Sequence, residues 1–221
     1  MSMILRILTL VIFSSCISSL LAQNVVLEDN FDGNEFSWTE NGKPDLGENI
    51  IMEGEFKFDS KASSQFFSQD SKIPTLLLSE GVLPIDPAQG FSISVDMAFD
   101  HIRFFGPNLY LLNLTSGFLL EYDDEYNFIA VAVNEKNCYI LFYKEGKLIR
   151  YKQAAVKMKN VNKNKINANL KIEYIDYKLK IYVDDIEMTE MRKVTIESPV
   201  IALFVTGKRK VAFDNVKIAQ Y

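Results

Sequence analysis

Large apolar residues occupy every second position between Phe91 and Phe99. Phe91, Ile93, Val95, Met97 and Phe99 alternate with Ser92, Ser94, Asp96 and Ala98. A period of two puts all five large groups on one face of a strand and the small or polar residues on the other. The chain continues as strands over residues 91–100, 108–122, 127–134 and 138–143, joined by short turns. Residues 128–133 are apolar without alternation, which predicts a central strand buried on both sides. Asp123-Asp124-Glu125, Asn134-Glu135-Lys136-Asn137 and Glu145-Gly146 carry the turn chemistry between these strands.

The flanking segments read the same way. Residues 25–31 form a short strand closed by Asp32-Gly33-Asn34, and 36–47 are polar and turn-rich around Trp38. Residues 50–58 alternate, with Gly54 expected as a bulge. Residues 60–72 read as a Ser/Gln-rich loop, 75–78 as a short strand, and Pro84 and Pro87 mark a connection. Residues 101–107 and the basic stretch 152–165 are further connections. Strands over 170–174 and 179–183 join through Asp176-Tyr177, and Asp184-Asp185 turns into 186–191. Residues 200–206 and 211–219 read as a closing hairpin across Gly207-Lys208. No stretch has a helical period and none repeats at fixed length. Many short strands at this spacing predict an all-β fold, an antiparallel two-sheet β-sandwich.

The chain has 221 residues, 48% of them hydrophobic. That suits one domain of about 200 residues after processing, able to bury roughly 70% of its unfolded surface without a disulfide or metal. A net charge of −5 argues against a nucleic-acid partner, which needs a clustered positive field.

Residues 1–22 have the pattern of a secretory signal peptide: Arg6, an apolar run over 7–13, a Ser-rich region, and Ala22 before the cut. The mature domain is then 23–221. A second reading makes Cys16, preceded by Ser14 and Ser15, the acylated residue of a lipoprotein leader and so a lipid anchor. Both readings export the chain, to a secreted, periplasmic or outer-surface location. Ser14, Ser15, Ser18 and Ser19 break the apolar run, which barely reaches the roughly 20 residues a membrane span needs. Cys138 is then alone in the mature chain, so it has no disulfide partner there and reads as a small buried hydrophobe. His101 is the one histidine, which rules out multi-His metal sites.

Four stretches carry a resemblance: GFLLEYDDEYNFIAVAV (117–133), CYILFYKEGK (138–147), NANLKIEYIDYKLKIYVDD (167–185) and VAFDNVKIAQ (211–220). They look like concanavalin A-like lectin/glucanase domains, and more narrowly like laminin-G-like jelly rolls of secreted bacterial proteins. The opening LEDNFDGNEFSW (27–38) resembles the way such domains begin. The resemblance implies a jelly roll of 12 to 14 strands with the N-terminal strand beside the strand over 211–219. Members of that fold family bind glycans, bind proteins or hydrolyse polysaccharides, so the fold alone leaves function open.

Three sets of residues carry candidate chemistry. Glu121, Asp123 and Glu125 resemble the Glu-x-Asp-x-Glu of family 16 glycoside hydrolases, in which period two sets three carboxylates on one face. Asp-Asp-Glu-Tyr-Asn is also turn chemistry, which favours a hairpin tip. Asp29, Asp32 and Asp214-Asn215 meet if the terminal strands pair, and a Ca²⁺ ion takes such clustered oxygens; exposed turn residues are the plainer expectation. Trp38, Tyr110, Tyr122, Tyr126, Tyr139 and Tyr143 are the aromatic pool for stacking on sugar rings; most are expected as cross-strand core or edge packing, and Tyr122 and Tyr126, which flank the tip, as the exposed ones, with Trp38 kept beside them as a candidate. His101 and Arg103 sit in a loop without a nucleophile, and the sequon Asn113-Leu114-Thr115 falls in an apolar strand. The resulting expectation is a non-catalytic, lectin-like module that binds a glycan or protein surface. The alternatives are a glycoside hydrolase and a structural component of the cell envelope. An open face lined by aromatics supports sugar binding; a filled face supports scaffolding.

Overall fold

The computed structural model describes residues 24–34, 36–43, 46–61, 76–82, 85–100, 114–162, 164–198 and 200–221. His101, Arg103, Tyr110, Asn113, Cys16 and the leader lie outside the described residues. Sixteen strands, and no helix, occur among the described residues. They are β1 (Asn24–Asp29), β2 (Asn41–Lys43), β3 (Gly47–Met52), β4 (Glu55–Ser60), β5 (Leu76–Val82), β6 (Phe91–Asp100), β7 (Ser116–Asp124) and β8 (Asn127–Val133). After these come β9 (Asn137–Lys144), β10 (Lys147–Ala155), β11 (Asn160–Val161), β12 (Lys165–Ile175), β13 (Lys178–Val183), β14 (Ile186–Arg192), β15 (Val200–Thr206) and β16 (Arg209–Gln220).

All pairings are antiparallel, in two sheets. A ten-stranded sheet has the order β14-β13-β12-β6-β16-β4-β3-β2, with β1 beside β16 and β11 beside β12. A six-stranded sheet has the order β10-β9-β8-β7-β15-β5. The terminal strands do meet, Asn24 opposite Gln220 and Asp29 opposite Val216. Phe91, Ile93, Val95, Met97 and Phe99 all face the space between the sheets, where Ile166, Leu170, Ile172, Phe213 and Ile218 join them from the flanking strands. Phe118, Leu120, Val131, Ile140, Ile201 and Leu203 close the same core from the six-stranded side. Cys138 is buried there, and burial pushes its thiol up to about 11, so it packs as an inert hydrophobe.

Three expected elements differ from the structure. Residues 50–58 are not one bulged strand but the hairpin β3–β4, because Glu53 and Gly54 both take positive φ (59° and 71°), the conformation of a tight two-residue turn. The basic stretch 152–165 is partly strand, since β10 runs to Ala155 and β11 lies within it. β15 and β16 do not form a hairpin: β15 pairs with β7 and β5, while β16 crosses to the other sheet. The cause is in the side chains. Every residue of β15 after Val200 is buried, which suits a strand covered on both faces, whereas β16 alternates until Asn215.

Two glycines are fixed by close approach. A Cβ on Gly47 would run into the Asp59 carbonyl, and one on Gly117 into the Val131 carbonyl. The edge strands β10 and β14 lie side by side across the sandwich. Arg150 donates to the carbonyls of Lys193 (3.1 Å) and Arg192, and Lys152 donates to the carbonyl of Glu190. These cations occupy acceptors that an open sheet edge would otherwise offer to another chain. At one end of the sandwich Arg209 is buried, donating to Leu114 O (2.7 Å) and Glu135 Oε1 (3.2 Å) with its guanidinium 4.5 Å from the Phe99 ring centroid.

Candidate functional site

Only one face of each strand in β6, β12 and β16 is needed for the core, which leaves the other free for chemistry. On that outer face the register sets Asp96 opposite both Asn169 and Asp214, and Ala98 opposite both Asn167 and Ala212. Two alanines side by side in this row leave the surface low. The result is a groove of about 350 Å³, lined by Glu55, Asp96, Asn160, Asn167, Asn169, Asp184, Asp214 and the alanines beneath them.

The walls are held in place by their own hydrogen bonds. Asn169 Nδ2 donates to Asp96 Oδ1 (2.8 Å), and Asn215 Nδ2 donates to Asp96 Oδ2 (3.0 Å) and Asp214 Oδ2 (3.2 Å). Asn215 reaches both because β16 bulges there, with Asn215 at φ 50° and the register shifting between Asp214 and Lys217. The β13–β14 turn is tied to the same wall: Asn169 N–H donates to Asp184 Oδ1 (3.0 Å), and Asp184 N–H donates to Asn169 O (3.0 Å). Asp184 Oδ2 is buried and has no hydrogen-bond partner among the described residues. Desolvation, then the charges of Asp96, Glu55 and Asp32, push the Asp214 carboxyl above its ordinary range.

The carboxylates Glu121, Asp123 and Glu125 are not one row. The β7–β8 register shifts between Leu120 and Asp124, and Glu121 itself takes φ 52°, so the period of two fails where the triad needs it. Glu121 and Asp123 line a cleft of about 290 Å³ with Glu197, Thr195, Phe142 and Ile149, while Glu125 is exposed at the hairpin tip beside Tyr126. Glu121 Oε1 accepts from Ser198 N–H (3.0 Å). Desolvation raises its pKa, and Asp123 and Glu197 add to the rise.

Of the aromatic pool, Trp38 is a core residue and offers no stacking face, being 2% exposed. Its indole N–H donates to Asp29 Oδ2 (2.8 Å), and Phe31 N–H donates to Asp29 Oδ1 (2.8 Å). That spends both oxygens of Asp29 on the protein and separates it from Asp32, whose Oδ2 accepts from Asn30 Nδ2 (2.7 Å). Among the described residues no three Asp, Glu, His or Cys side chains are arranged to hold a metal ion. Tyr139 and Tyr143 are buried in a second apolar layer, Tyr122 packs against that layer, and Tyr126 is exposed at the tip. Sequence reasoning passed over Asn167, Asn169 and Asp184. The available signal was the polar half of the alternation, in which Asp96 and Ala98 share a face.

No family model matches the sequence, and no curated protein matches it. Solved structures match it in shape. An endo-β-1,3-glucanase from Pyrococcus furiosus is 13% identical over 90% of this chain and 94% of its own, with a TM-score of 0.57. The carbohydrate recognition domain of Emp47p is 11% identical over 90% of this chain and 96% of its own, at 0.56. The binding domain of botulinum neurotoxin serotype G is 13% identical at 0.53 over 88% of this chain. This chain spans about half of that domain, 47% of its length. At such identities the likeness is one of fold, an antiparallel two-sheet β-sandwich.

Proposed function

We propose that the chain is an exported, non-catalytic, lectin-like module whose groove on the ten-stranded sheet binds a glycan. The observation that carries this reading is the groove's chemistry. Amides and carboxylates are preset by mutual hydrogen bonds over a floor of alanines, in a cleft within the size range of small-ligand sites. Such groups bond sugar hydroxyls, which both donate and accept. The sandwich is shared with a carbohydrate recognition domain and a glucanase, which is in keeping with the proposal. Glu125 lies outside the cleft that Glu121 and Asp123 share, so the three carboxylates do not form the one-face row of a Glu-x-Asp-x-Glu strand, which supports a binding role over a hydrolytic one. Export rests on the leader pattern of residues 1–22, with either Gln23 or acylated Cys16 as the mature terminus; mass spectrometry of the exported chain distinguishes them.

The test is a glycan array on the mature chain, followed by titration of any hit against Asn167→Ala/Asn169→Ala. A hit that weakens about tenfold or more, about 1.4 kcal/mol, supports the groove. Binding that survives the double variant, or no glycan binding at all, overturns it. A second reading, a structural component of the cell envelope, is favoured by the apolar, buried outer face of the six-stranded sheet. A stable oligomer that binds no glycan would support that reading.

A further inference from the structure

We infer that the groove discriminates by charge, preferring glycans that bear ammonium groups to neutral ones and rejecting acidic ones. This inference rests on the glycan reading of the same groove and narrows its ligand class.

The argument is an inventory of donors and acceptors. Among the described residues four carboxylates line the groove, from Glu55, Asp96, Asp184 and Asp214, and no lysine or arginine does. Two nearby lysines meet groove residues and still leave the carboxylates in excess. Lys57 lies 2.6 Å from Glu53 Oε2 and 3.6 Å from Glu55 Oε2, and Lys159 donates to the backbone carbonyl of Asp184 (3.4 Å). The amide that would serve a ligand's acceptor best, Asn169 Nδ2, is already given to Asp96. Acceptors are therefore in surplus.

A sugar hydroxyl donates and accepts, an acetamido group does both, a carboxylate only accepts, and an ammonium only donates. The wall therefore complements the ammonium and opposes the carboxylate. Several like charges around one groove add a field that attracts a cation and falls with ionic strength. Desolvation is the first cause of the raised Asp214 carboxyl, and the charges of Asp96, Glu55 and Asp32 add to it.

The experiment uses the mature chain and three tetrasaccharides of equal length: glucosamine, N-acetylglucosamine and galacturonic acid. Calorimetric titration is done just below neutral pH at low and high salt. The expected result is glucosamine binding about tenfold tighter than its acetylated counterpart, about 1.4 kcal/mol, with the advantage shrinking as salt rises. The galacturonic acid chain should give no heat. Asp214→Asn and Asp184→Asn each remove one negative charge while keeping an acceptor oxygen, so each should shrink the ratio of amine to acetylated affinity and flatten its salt dependence; a ratio unchanged in both overturns charge selection. Equal affinity for the amine and acetylated chains, or tightest binding of the acidic one, overturns charge selection while leaving the glycan reading intact. Binding of none of the three, or of any array glycan, overturns both.

Discussion

The two sheets turn very different outer faces away from the core they share. On the ten-stranded sheet that face is polar: the groove, then a network in which Lys171 meets Glu173 (2.8 Å), Tyr182 O–H donates to Glu173 Oε2 (2.8 Å), and Lys180 meets Glu187 (3.0 Å). On the six-stranded sheet Leu119, Phe128, Ala130, Tyr139, Leu141, Tyr143 and Phe204 are buried to the same degree as the core proper. One sheet is therefore covered once and the other twice. The buried aromatics of the sheet covered twice contribute to stability rather than recognition. Tyr139 and Tyr143 belong to it, in line with the packing role expected of most of the aromatic pool. Recognition moves to the sheet whose outer side chains are amides and charges.

This contrast can be broken in a graded series. Phe204→Ala on the apolar outer face should cost about 3–5 kcal/mol, as a core truncation does. A much smaller shift in the guanidinium unfolding midpoint would mean that this face is not a second core. On the polar side, Tyr182→Phe removes one hydrogen bond at a half-buried site and should cost about 1 kcal/mol by the same assay. Glu121→Gln, in the cleft at the end of the sandwich, sharpens the comparison through its sign. Burial holds the folded carboxyl above its unfolded value, so ionising it opposes folding and stability is lost as pH rises through the folded pKa. The glutamine keeps an acceptor for Ser198 N–H. It should therefore melt slightly higher than the parent chain near neutral pH and identically below about pH 4.3, where even the unfolded glutamate is protonated. A variant that melts lower at neutral pH would show that the ionised carboxylate stabilises the fold. The smallest effect is expected for Lys180→Ala, an exposed pair whose loss should leave the urea midpoint unchanged within error.

How much of this was legible in the chain can be traced residue by residue. The five large apolar groups of β6 announced a strand with one buried face, and the unbroken run of β8 announced a strand with two; both signals are local and survive folding. Turns such as Asp176-Tyr177 and Asp184-Asp185 were equally local, and all four residues take positive φ. The groove was not legible, because it is made by register. Asn169 and Asp96 are 73 positions apart, and Asn215 and Asp96 are 119 apart. The resemblance placed β1 beside β16, but nothing in the sequence placed Asp96 between Asn169 and Asp214. Trp38 misled for a related reason. A tryptophan in a polar stretch looks exposed, yet the Asp29 carboxylate nine residues earlier gives its N–H a buried partner. At Glu121 the turn chemistry of the sequence pointed the right way, to a hairpin tip rather than a continuous row, and the break in alternation is a bulge.

Gly47 and Gly117 sit where any side chain would strike a carbonyl of the next strand, and that has a genealogical consequence. Surface loops and even groove residues are free to drift as a lineage diverges, but these two positions must stay bare for β3–β4 and β7–β8 to keep their alignment. Two glycines at the right separation, one ahead of a Glu53-Gly54-type tight turn and one opening the strand that runs to Asp124, should therefore mark distant kin of this chain after every other letter has changed.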